Sequence, residues 1–495
     1  MRRLSGLDAG FLYLETPSTH MHVGMAAVFD PSGVEGDWSF HRVRDLVEER
    51  LPLLAPFRRR LVEVPFGLHH PLWIEDPGFD LDYHLRRACL PAPGGPAELA
   101  DFTADFMGRP LDRAKPLWEM YVVEGLEEGM VAVVSKTHHA AIDGISGAEL
   151  VANLLDMSPE PRKVPPEDPP WRPDRVPSDL ELLSSAVLSL ARQPLELARA
   201  LERSVETGLH VARQRRELEV PPPAPFSAPK VSFNSSITPH RRVAFAEVPL
   251  DEVKAVKNAL GGTVNDVVLA VCAGALRRYL AARGELPEAS LVGMVPISVR
   301  RADERGTLGN RVSAMLVSLA TALDDPVERL HAISRGTQGA KEQHEAIGAE
   351  TLMNWVEFAA PAVAARAARL ISRMKVFDRV RPLFNVVISN VPGPSFPLYC
   401  AGAPMRAMYP MGPITDGVGL NMTVISYQGT MYFGLVGCRE TVPGLEEIAA
   451  GLGESLAELA KAAGRRSRRR RSGGGGARAG SGQATGSVPK GKAPG

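Results

Sequence analysis

The sequence contains few cysteines and no long apolar run. Its four cysteines lie far apart, with no CxxC pair and no Cys/His cluster (Cys89, Cys272, Cys400, Cys438). Neither a disulfide framework nor a structural zinc site is therefore expected, and a reducing cytoplasm is the predicted location. No stretch reaches the roughly 18 uninterrupted apolar residues of a membrane-spanning helix. Asp8 and Glu15 interrupt the N-terminal segment, so it is not predicted to be a signal peptide.

The chain also has no net charge, because 57 basic residues balance 57 acidic ones. The balance is uneven, since the segment from Lys461 onward has ten basic residues and no acidic one, which leaves the rest near −10. This tail, 461–495, has no apolar periodicity and is predicted to be disordered. It is either simply solvated or an electrostatic tether to an anionic membrane surface. Nucleic-acid binding is not expected, because no basic patch with interleaved aromatic residues appears before the tail.

Two blocks of mixed helix and strand pattern flank a proline-rich middle. We predict an N-terminal lobe over 1–157, a proline-rich linker with a helix over 158–230 and a C-terminal lobe over 231–460. Predicted strands include 118–123 and 130–137 in the first block and 291–298, 312–321 and 384–389 in the second. A hairpin around Gln428-Gly429 and a final helix carrying Leu445 and Leu459 complete the second block. This alternation predicts a two-lobed α/β or α+β protein.

The linker contains one predicted helix over 178–193. Ser178 can cap its start, and apolar residues then recur at helical spacing (Leu180, Leu183, Val187, Leu190). An apolar stripe of this kind favours packing against a lobe. The alternative is a helix that lies in a membrane interface.

The stretch whose residues could carry out catalysis is HHAAIDG, which follows the apolar strand 130–137. His138 and His139 lie at the end of that strand, and Asp143-Gly144 lies where the chain turns into a helix. An imidazole titrates near 6.5 when unperturbed, so it is neutral often enough to accept a proton. An alcohol that attacks a carbonyl must lose its proton, and a well-placed histidine is what this reaction requires.

A lone histidine is usually a surface residue or a satisfied core residue, and the HHxxxD pattern is also compatible with metal ligands. A metal site is disfavoured because no nearby His, Cys or acidic residue completes a ligand set. Adjacent histidines on an extended strand point to opposite faces, so one at most enters a given cleft. The second histidine pair, His69-His70, precedes a proline and lacks the Asp-Gly turn, and we interpret it as structural.

HHAAIDG matches the HHxxxDG motif of the bacterial wax ester synthase/diacylglycerol acyltransferase family, and further stretches resemble that family in order. These are LSGLDAGFLYLETPSTHMHVG at 4–24, DRAKPLWEMYVVEGL at 112–126 with a PLW motif, TVNDVVLAVCAGALRRYL at 263–280 with an ND motif, and MVPISVR, GNRVSAMLVSLAT and NVVISNVPGP. The resemblance covers about residues 1–460 and excludes the arginine-rich tail.

The resemblance implies an acyl-CoA-dependent O-acyltransferase that makes triacylglycerol from diacylglycerol, with wax esters from long-chain alcohols as a second product. It implies that His139 is the general base, that transfer is direct and that no cofactor is needed. His138 would support His139, Asp143 would hold the loop and Gly144 would permit the turn. No serine or cysteine stands in a nucleophile-elbow context such as GxSxG. The expected partners are acyl-CoA, the lipid acceptor, and a membrane surface or lipid droplet.

The same resemblance implies two lobes like those of chloramphenicol acetyltransferase, with the active site in a channel between them. Asn265 would place substrate or stabilise the oxyanion, whereas Asp266 would do likewise or cap a helix. The PLW residues Pro116, Leu117 and Trp118 would shape the core or the wall of the channel. The alternatives left open are a catalytically silent lipid-droplet or membrane-binding protein of this fold, and another HHxxxDG enzyme such as a condensation domain.

Overall fold

The computed structural model describes residues 2–36, 38–142, 147–165, 167, 169–190, 220–298, 312–347 and 361–473. Its helices, in chain order, are α1 (Gly6–Tyr13), α2 (Phe40–Arg50), α3 (Leu81–His84), α4 (Pro96–Met107), α5 (Gly147–Leu154), α6 (Asp179–Leu190), α7 (Leu250–Leu260), α8 (Val264–Ala282), α9 (Pro326–Ile347), α10 (Pro361–Arg373) and α11 (Leu445–Gly473). Its strands are β1 (Arg2–Arg3), β2 (His22–Phe29), β3 (Arg59–Val62), β4 (Leu72–Glu75), β5 (Leu85–Cys89), β6 (Trp118–Glu124), β7 (Val131–His138), β8 (Arg241–Pro249), β9 (Val292–Ser298), β10 (Val312–Ser318), β11 (Val386–Val391), β12 (Tyr399–Cys400), β13 (Ala403–Met411), β14 (Leu420–Tyr427) and β15 (Thr430–Cys438).

Each lobe is built around a mixed six-stranded sheet. The N-terminal sheet has the order β12-β13-β2-β7-β6-β5, and the C-terminal sheet has the order β10-β9-β11-β14-β15-β8. Every predicted strand is present, and the hairpin β14–β15 turns at Gln428-Gly429, where both residues have positive φ. A small third sheet, β1-β4-β3, lies beside the N-terminal lobe. Strand β7 is buried along almost its whole length. This fits its position inside the sheet, where both faces of the strand are covered.

Strands from the later part of the chain complete the sheet of the N-terminal lobe. Strands β12 and β13 follow the C-terminal strand β11 in sequence, yet β13 pairs antiparallel with β2 in the N-terminal sheet. From there β13 packs against β14 and β15, and the Tyr432 hydroxyl donates to the carbonyl of Arg406 (2.9 Å). The sheet of residues 1–157 is thus completed by strands from beyond residue 231. Sequence order alone did not predict this crossing, because it depends on which edge of the sheet is open.

The linker helix α6 packs against the small sheet rather than lying apart from the lobes. Ser178 caps it as predicted, since its side chain and that of Glu181 bond to each other's backbone N–H groups. The predicted apolar stripe is wrong at Leu180, which is 77% exposed, whereas Leu183 is half-buried. The side chains of Val187 and Leu190 lie outside those that the structure describes. Leu182 and Ala186, which were not predicted, are buried with Ile74. Which face of α6 is buried depends on the surface that it packs against. The helical periodicity of the segment alone does not determine that surface.

The prediction that residues from 461 onward lack structure is wrong as far as Gly473. Helix α11 continues through Lys461 into the arginine run. Its apolar side packs on α8, and Ala463 is still buried. Extending an anchored helix adds one hydrogen bond for each residue fixed, and arginine is a good helix former, so the helix passes the end of the packed face.

Among the described residues, no single helix has the length and apolar composition to cross a membrane. Helices α7 and α8 meet these criteria only when taken together, across a bend of 103°. Most of α8 is buried in the core of the C-terminal lobe.

Candidate active site

The histidine pair lies at the end of β7, where the strand passes into a 3₁₀ turn at His139–Ile142. His138 is buried, and its Nδ1 accepts a hydrogen bond from the backbone N–H of Ala140 (3.0 Å). Its Nε2 lies 3.1 Å from Oε1 of Glu15. The backbone N–H of His138 donates to the carbonyl of Leu117 (2.9 Å), so both its ring and its backbone are fixed.

His139 points away from His138 and stacks on Phe11 of α1, with ring centroids 3.9 Å apart and an interplanar angle of 18°. Its backbone N–H donates to the carbonyl of Met21 (2.9 Å). The residue is half-buried, but Nδ1 is enclosed and has no hydrogen-bond partner among the described residues. Burial lowers the pKa of His139 to about 4, and the charge of His138 acts in the same direction. The ring is therefore neutral near pH 7.

Glu15 connects the histidine pair to a charged network. Besides His138, its carboxylate accepts hydrogen bonds from Nε (2.8 Å) and Nη2 of Arg113. Burial alone would raise the pKa of Glu15, but the hydrogen bond and charge of His138 and the charge of Arg113 outweigh it and hold the pKa below its usual value. Glu15 is thus ionised, and it orients the His138 ring through a charge-assisted contact.

Lys136, two residues before the pair, is 1% exposed and anchors β7 to the end of α4. Its ammonium donates to the carbonyls of Phe106 (3.0 Å) and Arg109 (2.9 Å), and it lies 3.4 Å from Glu119. Burial lowers the pKa of Lys136 to about 8, while Glu119 opposes the shift. A cation at the carboxyl end of a helix is favourable, so this contact fixes α4 against the strand that bears the histidines.

A small cleft lies beside β2. Its lining combines both lobes (His20, Met21, His22, Met107, Arg241, Gly412, Pro413, Ile414, Val436). His22 is cross-strand partner to His138, and their rings meet edge to face at 6.1 Å. Neither ring nitrogen of His22 has a partner among the described residues. Burial holds the pKa of His22 well below its usual value, and the charge of Lys136 adds to this effect.

The PLW residues lie in the core directly beneath the pair. Pro116, Leu117 and Trp118 are all buried, and the Trp118 indole donates to the carbonyl of Phe57 (2.9 Å). Trp118 also stacks on Phe57 (4.3 Å) and on His84 (4.6 Å). Both faces of the indole are thus covered by protein. These residues support β6 and β7, as one of the two interpretations predicts.

The ND residues lie in the C-terminal lobe, at the start of α8. The carboxylate of Asp266 accepts hydrogen bonds from the N–H of Thr263 (2.8 Å) and the hydroxyls of Ser334 (3.1 Å) and Thr337 (2.7 Å), while Thr263 Oγ1 accepts from the N–H of Asp266. Of the two interpretations offered for Asp266, this geometry matches the helix cap. The Oδ1 of Asn265 instead accepts from Nδ2 of Asn390 on β11 (3.2 Å), and its substrate role stays a prediction.

Asp143 and Gly144 lie outside the described residues, so their predicted roles stay predictions. The second histidine pair lies elsewhere: His70 is buried with its Nδ1 2.6 Å from the Tyr13 hydroxyl, and His69 Nδ1 accepts from the N–H of His70. In the part of the chain that the structure describes, no group of three or more His, Cys, Asp or Glu side chains could hold a metal ion.

Sequence reasoning missed several residues around the pair. Phe11, Glu15 and His22 contact the histidines, but they lie more than a hundred positions earlier in the chain. They belong to the segment 4–24, which was singled out as a family signature without a role for any residue in it. The signal was the unusual density of polar and aromatic residues in that segment. The sheet pairing that brings it to His138 was not predictable from it.

Two family descriptions match this chain. Residues 4–268 match the wax ester synthase/diacylglycerol acyltransferase catalytic domain, and residues 308–460 match the WS/DGAT C-terminal domain. A protein of Mycobacterium tuberculosis strain CDC 1551, with the name "Putative diacyglycerol O-acyltransferase MT1809", is 38% identical over 461 residues, which cover 93% of this chain and 90% of that protein.

Solved structures agree with the predicted fold class. The wax ester synthase/diacylglycerol acyltransferase from Marinobacter aquaeolei VT8 is 33% identical, with a TM-score of 0.65, and the match covers 93% of this chain and all of that one. The starter condensation domain of rhizomide synthetase, in complex with C8-CoA and Leu-SNAC, is 13% identical with a TM-score of 0.51 and 94% coverage of both chains, which shows the fold alone. The chain therefore has the mixed α/β fold of these proteins, and it belongs to the wax ester synthase/diacylglycerol acyltransferase family.

Proposed function

We propose that this acyltransferase transfers a fatty acyl group from acyl-CoA to the free hydroxyl of diacylglycerol, and that His139 is the general base. The observation that carries the proposal is the state of His139, a ring held neutral by burial and fixed between Phe11 and the end of β7. A neutral, oriented imidazole is what an alcohol nucleophile needs near pH 7. The names of the Mycobacterium and Marinobacter relatives support the acceptor class.

In the proposed reaction, the acceptor oxygen attacks the thioester carbonyl while His139 takes its proton. Because Nδ1 of His139 is enclosed by protein, the acceptor meets Nε2. The tetrahedral intermediate then collapses, the carbon–sulfur bond breaks and the CoA sulfur takes the proton from the imidazolium. Because the acceptor attacks the thioester directly, no acyl-enzyme is formed, and the products are an ester and free CoA.

Positioning in this scheme comes from residues that do not touch substrate. Glu15 fixes His138, and the backbone of Met21 fixes His139, so the ring does not need to be ordered when substrate binds. The low pKa of His139 also makes its protonated form a strong acid, which favours return of the proton to the departing thiolate.

Long-chain alcohols are the second acceptor class, supported by the wax ester synthase activity in the name of the Marinobacter protein. The chemistry at His139 is identical for both acceptors, so the shape of the acceptor channel decides between them. The silent lipid-binding alternative makes a different prediction, which is that no CoA is released with either acceptor.

The test measures free CoA released from palmitoyl-CoA by the purified chain, with diacylglycerol or hexadecanol as acceptor. We expect acceptor-dependent thiol release, and we expect His139→Ala to lower kcat by roughly 100- to 10,000-fold, the usual contribution of a general base. His69→Ala is the matched control, because His69 is a half-buried histidine that belongs to the other pair.

Three outcomes of this assay distinguish the alternatives. If His139→Ala retains the turnover of the His69→Ala control, His139 is not the base. If wild-type protein releases no CoA with either acceptor, the proposed reaction is wrong for both lipid classes. A higher kcat/KM for hexadecanol than for diacylglycerol would assign the enzyme to wax ester synthesis.

A further inference from the structure

The segment 366–383, comprising the end of α10 and the turns after it, is rich in basic residues. It contains six basic residues and a single acidic one, for a net charge of +5, whereas the chain up to residue 460 is net acidic. All six basic side chains are exposed (Arg366, Arg369, Arg373, Lys375, Arg379, Arg381). The one acidic residue, Asp378, is engaged by the backbone N–H of Ser236 (2.7 Å).

The same segment exposes its large apolar side chains. Leu370 is 58% exposed and Met374 is 55% exposed, and Ile371, Val380 and Leu383 are also open to solvent. At 100° per residue, Leu370 and Met374 lie on the side of α10 opposite to Ala368 and Ser372, which are half-buried against the protein. Arg366 and Arg373 both lie along one side of this apolar stripe. The outward face of α10 therefore carries an apolar stripe with basic residues along one side of it.

A second exposed group extends this face. The 3₁₀ turn Pro65–Gly67 packs against both α10 and α6. At its tip Phe66 is 81% exposed, and α6 adds the exposed Leu180. We call the outward face of 366–383, together with Phe66 and Leu180, the basic apolar face. Its elements come from three distant parts of the chain, so its apolar character does not arise from one local sequence.

We infer that the basic apolar face docks this protein onto an anionic phospholipid surface. Exposed apolar side chains beside a row of basic ones are what an interfacial helix uses, because the apolar groups enter the acyl boundary while the arginines meet phosphate. A nucleic acid or an acidic protein would use the charges but would leave Leu370, Met374 and Phe66 unexplained. Because the chain up to residue 460 is otherwise net acidic, an anionic surface attracts this face and repels the rest of that body.

The face also lies next to the candidate active site. Helix α10 packs on α1, and α1 supplies Phe11, which stacks on His139. A lipid surface at this position would present a water-insoluble acceptor within one helix of the base. This last step depends on the proposed function, whereas docking itself does not.

The test must report on the face itself, since the basic tail also attracts anionic vesicles. In the full chain, Cys89→Ser removes the one exposed cysteine of the four. Met374→Cys then carries a polarity-sensitive fluorophore, and Ala255→Cys on the exposed side of α7 is the matched control. Vesicles of phosphatidylcholine alone or with phosphatidylglycerol are added. We expect the label at 374 to shift to the blue with phosphatidylglycerol only, and the label at 255 to stay unchanged.

A second series removes the charge. Arg366→Gln, Arg373→Gln and Arg379→Gln together should lower affinity for phosphatidylglycerol vesicles by roughly 100-fold, at the usual contribution of a basic residue near an anionic surface. Arg42→Gln, Arg87→Gln and Lys254→Gln, on α2, β5 and α7, remove the same charge elsewhere and should leave affinity within about threefold. Vesicle binding with an unshifted label at 374, or equal losses in both sets, would overturn the inference.

Turnover measurements distinguish a failure of the docking surface from a failure of the proposed acyl transfer. With a short, water-soluble alcohol as acceptor, the charge variants should match wild type, whereas with diacylglycerol in anionic vesicles they should be slower. If no acceptor gives turnover, the proposed function fails, and the label at 374 still decides the docking surface.

Discussion

At the scale of single residues, the site depends on two histidines with different tasks. His138 is fixed on both ring nitrogens by Ala140 and Glu15, whereas His139 is held by stacking and by its backbone. Adjacent residues on a strand point to opposite faces, so the division of roles follows from the backbone. The sequence allowed this division to be predicted, but not the ring of Phe11 that covers His139.

The pKa of His139 gives a prediction for the pH dependence of catalysis. A base works only when neutral, and the folded protein keeps His139 neutral down to about pH 4. The acid limb of kcat/KM should therefore lie below pH 6.5. Phe11→Ala uncovers the ring and lowers the burial penalty of the charged form, so this limb should move to higher pH. Steady-state kinetics between pH 4 and 8, with circular dichroism at each pH, measures both effects. A wild-type limb at or above pH 6.5 would contradict the assigned cause.

At the scale of helices and strands, the sequence predicted most elements but not their partners. The strands β6, β7, β9, β14 and β15 could be located because buried apolar runs and turn residues delimit them. The buried face of α6 and the crossing of β13 into the other lobe could not, because both are decided by surfaces distant in sequence. Basic residues beyond 460 were interpreted as a disorder signal, although the packed helix before them continues through them.

Helix α8 tests the interpretation of Asp266 as a cap. Asp266→Ala removes the cap and leaves the hydroxyls of Ser334 and Thr337 without their acceptor, which should cost about 2–3 kcal/mol of unfolding free energy. The control, Asp251→Ala in the exposed first turn of α7, should cost under about 0.5 kcal/mol. Urea unfolding gives the stability, and CoA release at low temperature gives the activity. Loss of turnover in a fully folded, equally stable Asp266→Ala protein would favour a role in chemistry instead.

At the scale of the whole molecule, the lobes meet at surfaces that hold neutral histidines. His20 and His22 line the cleft with Arg241 and Ile414 from the C-terminal lobe. Burial lowers the pKa of His20 to about 4, with a further contribution from Arg241, and holds that of His22 lower than normal. Between pH 4 and 6.5 the unfolded chain therefore binds more protons than the folded one, so the unfolding free energy falls as the pH is lowered through this window.

This linkage predicts how the joint between the lobes responds to acid. The thermal midpoint of the wild-type protein should fall steadily from pH 6.5 to pH 4, and His22→Leu, which cannot be protonated, should show a shallower fall. One histidine contributes at most about 1.4 kcal/mol per pH unit to this slope. His41→Leu on the exposed side of α2 is the control and should keep the wild-type slope. Differential scanning calorimetry across the window measures all three proteins. If the thermal midpoint of His22→Leu falls as steeply as that of wild type, protonation of His22 does not cause the loss of stability. The carboxylates that lose their ion pairs at lower pH would then account for it.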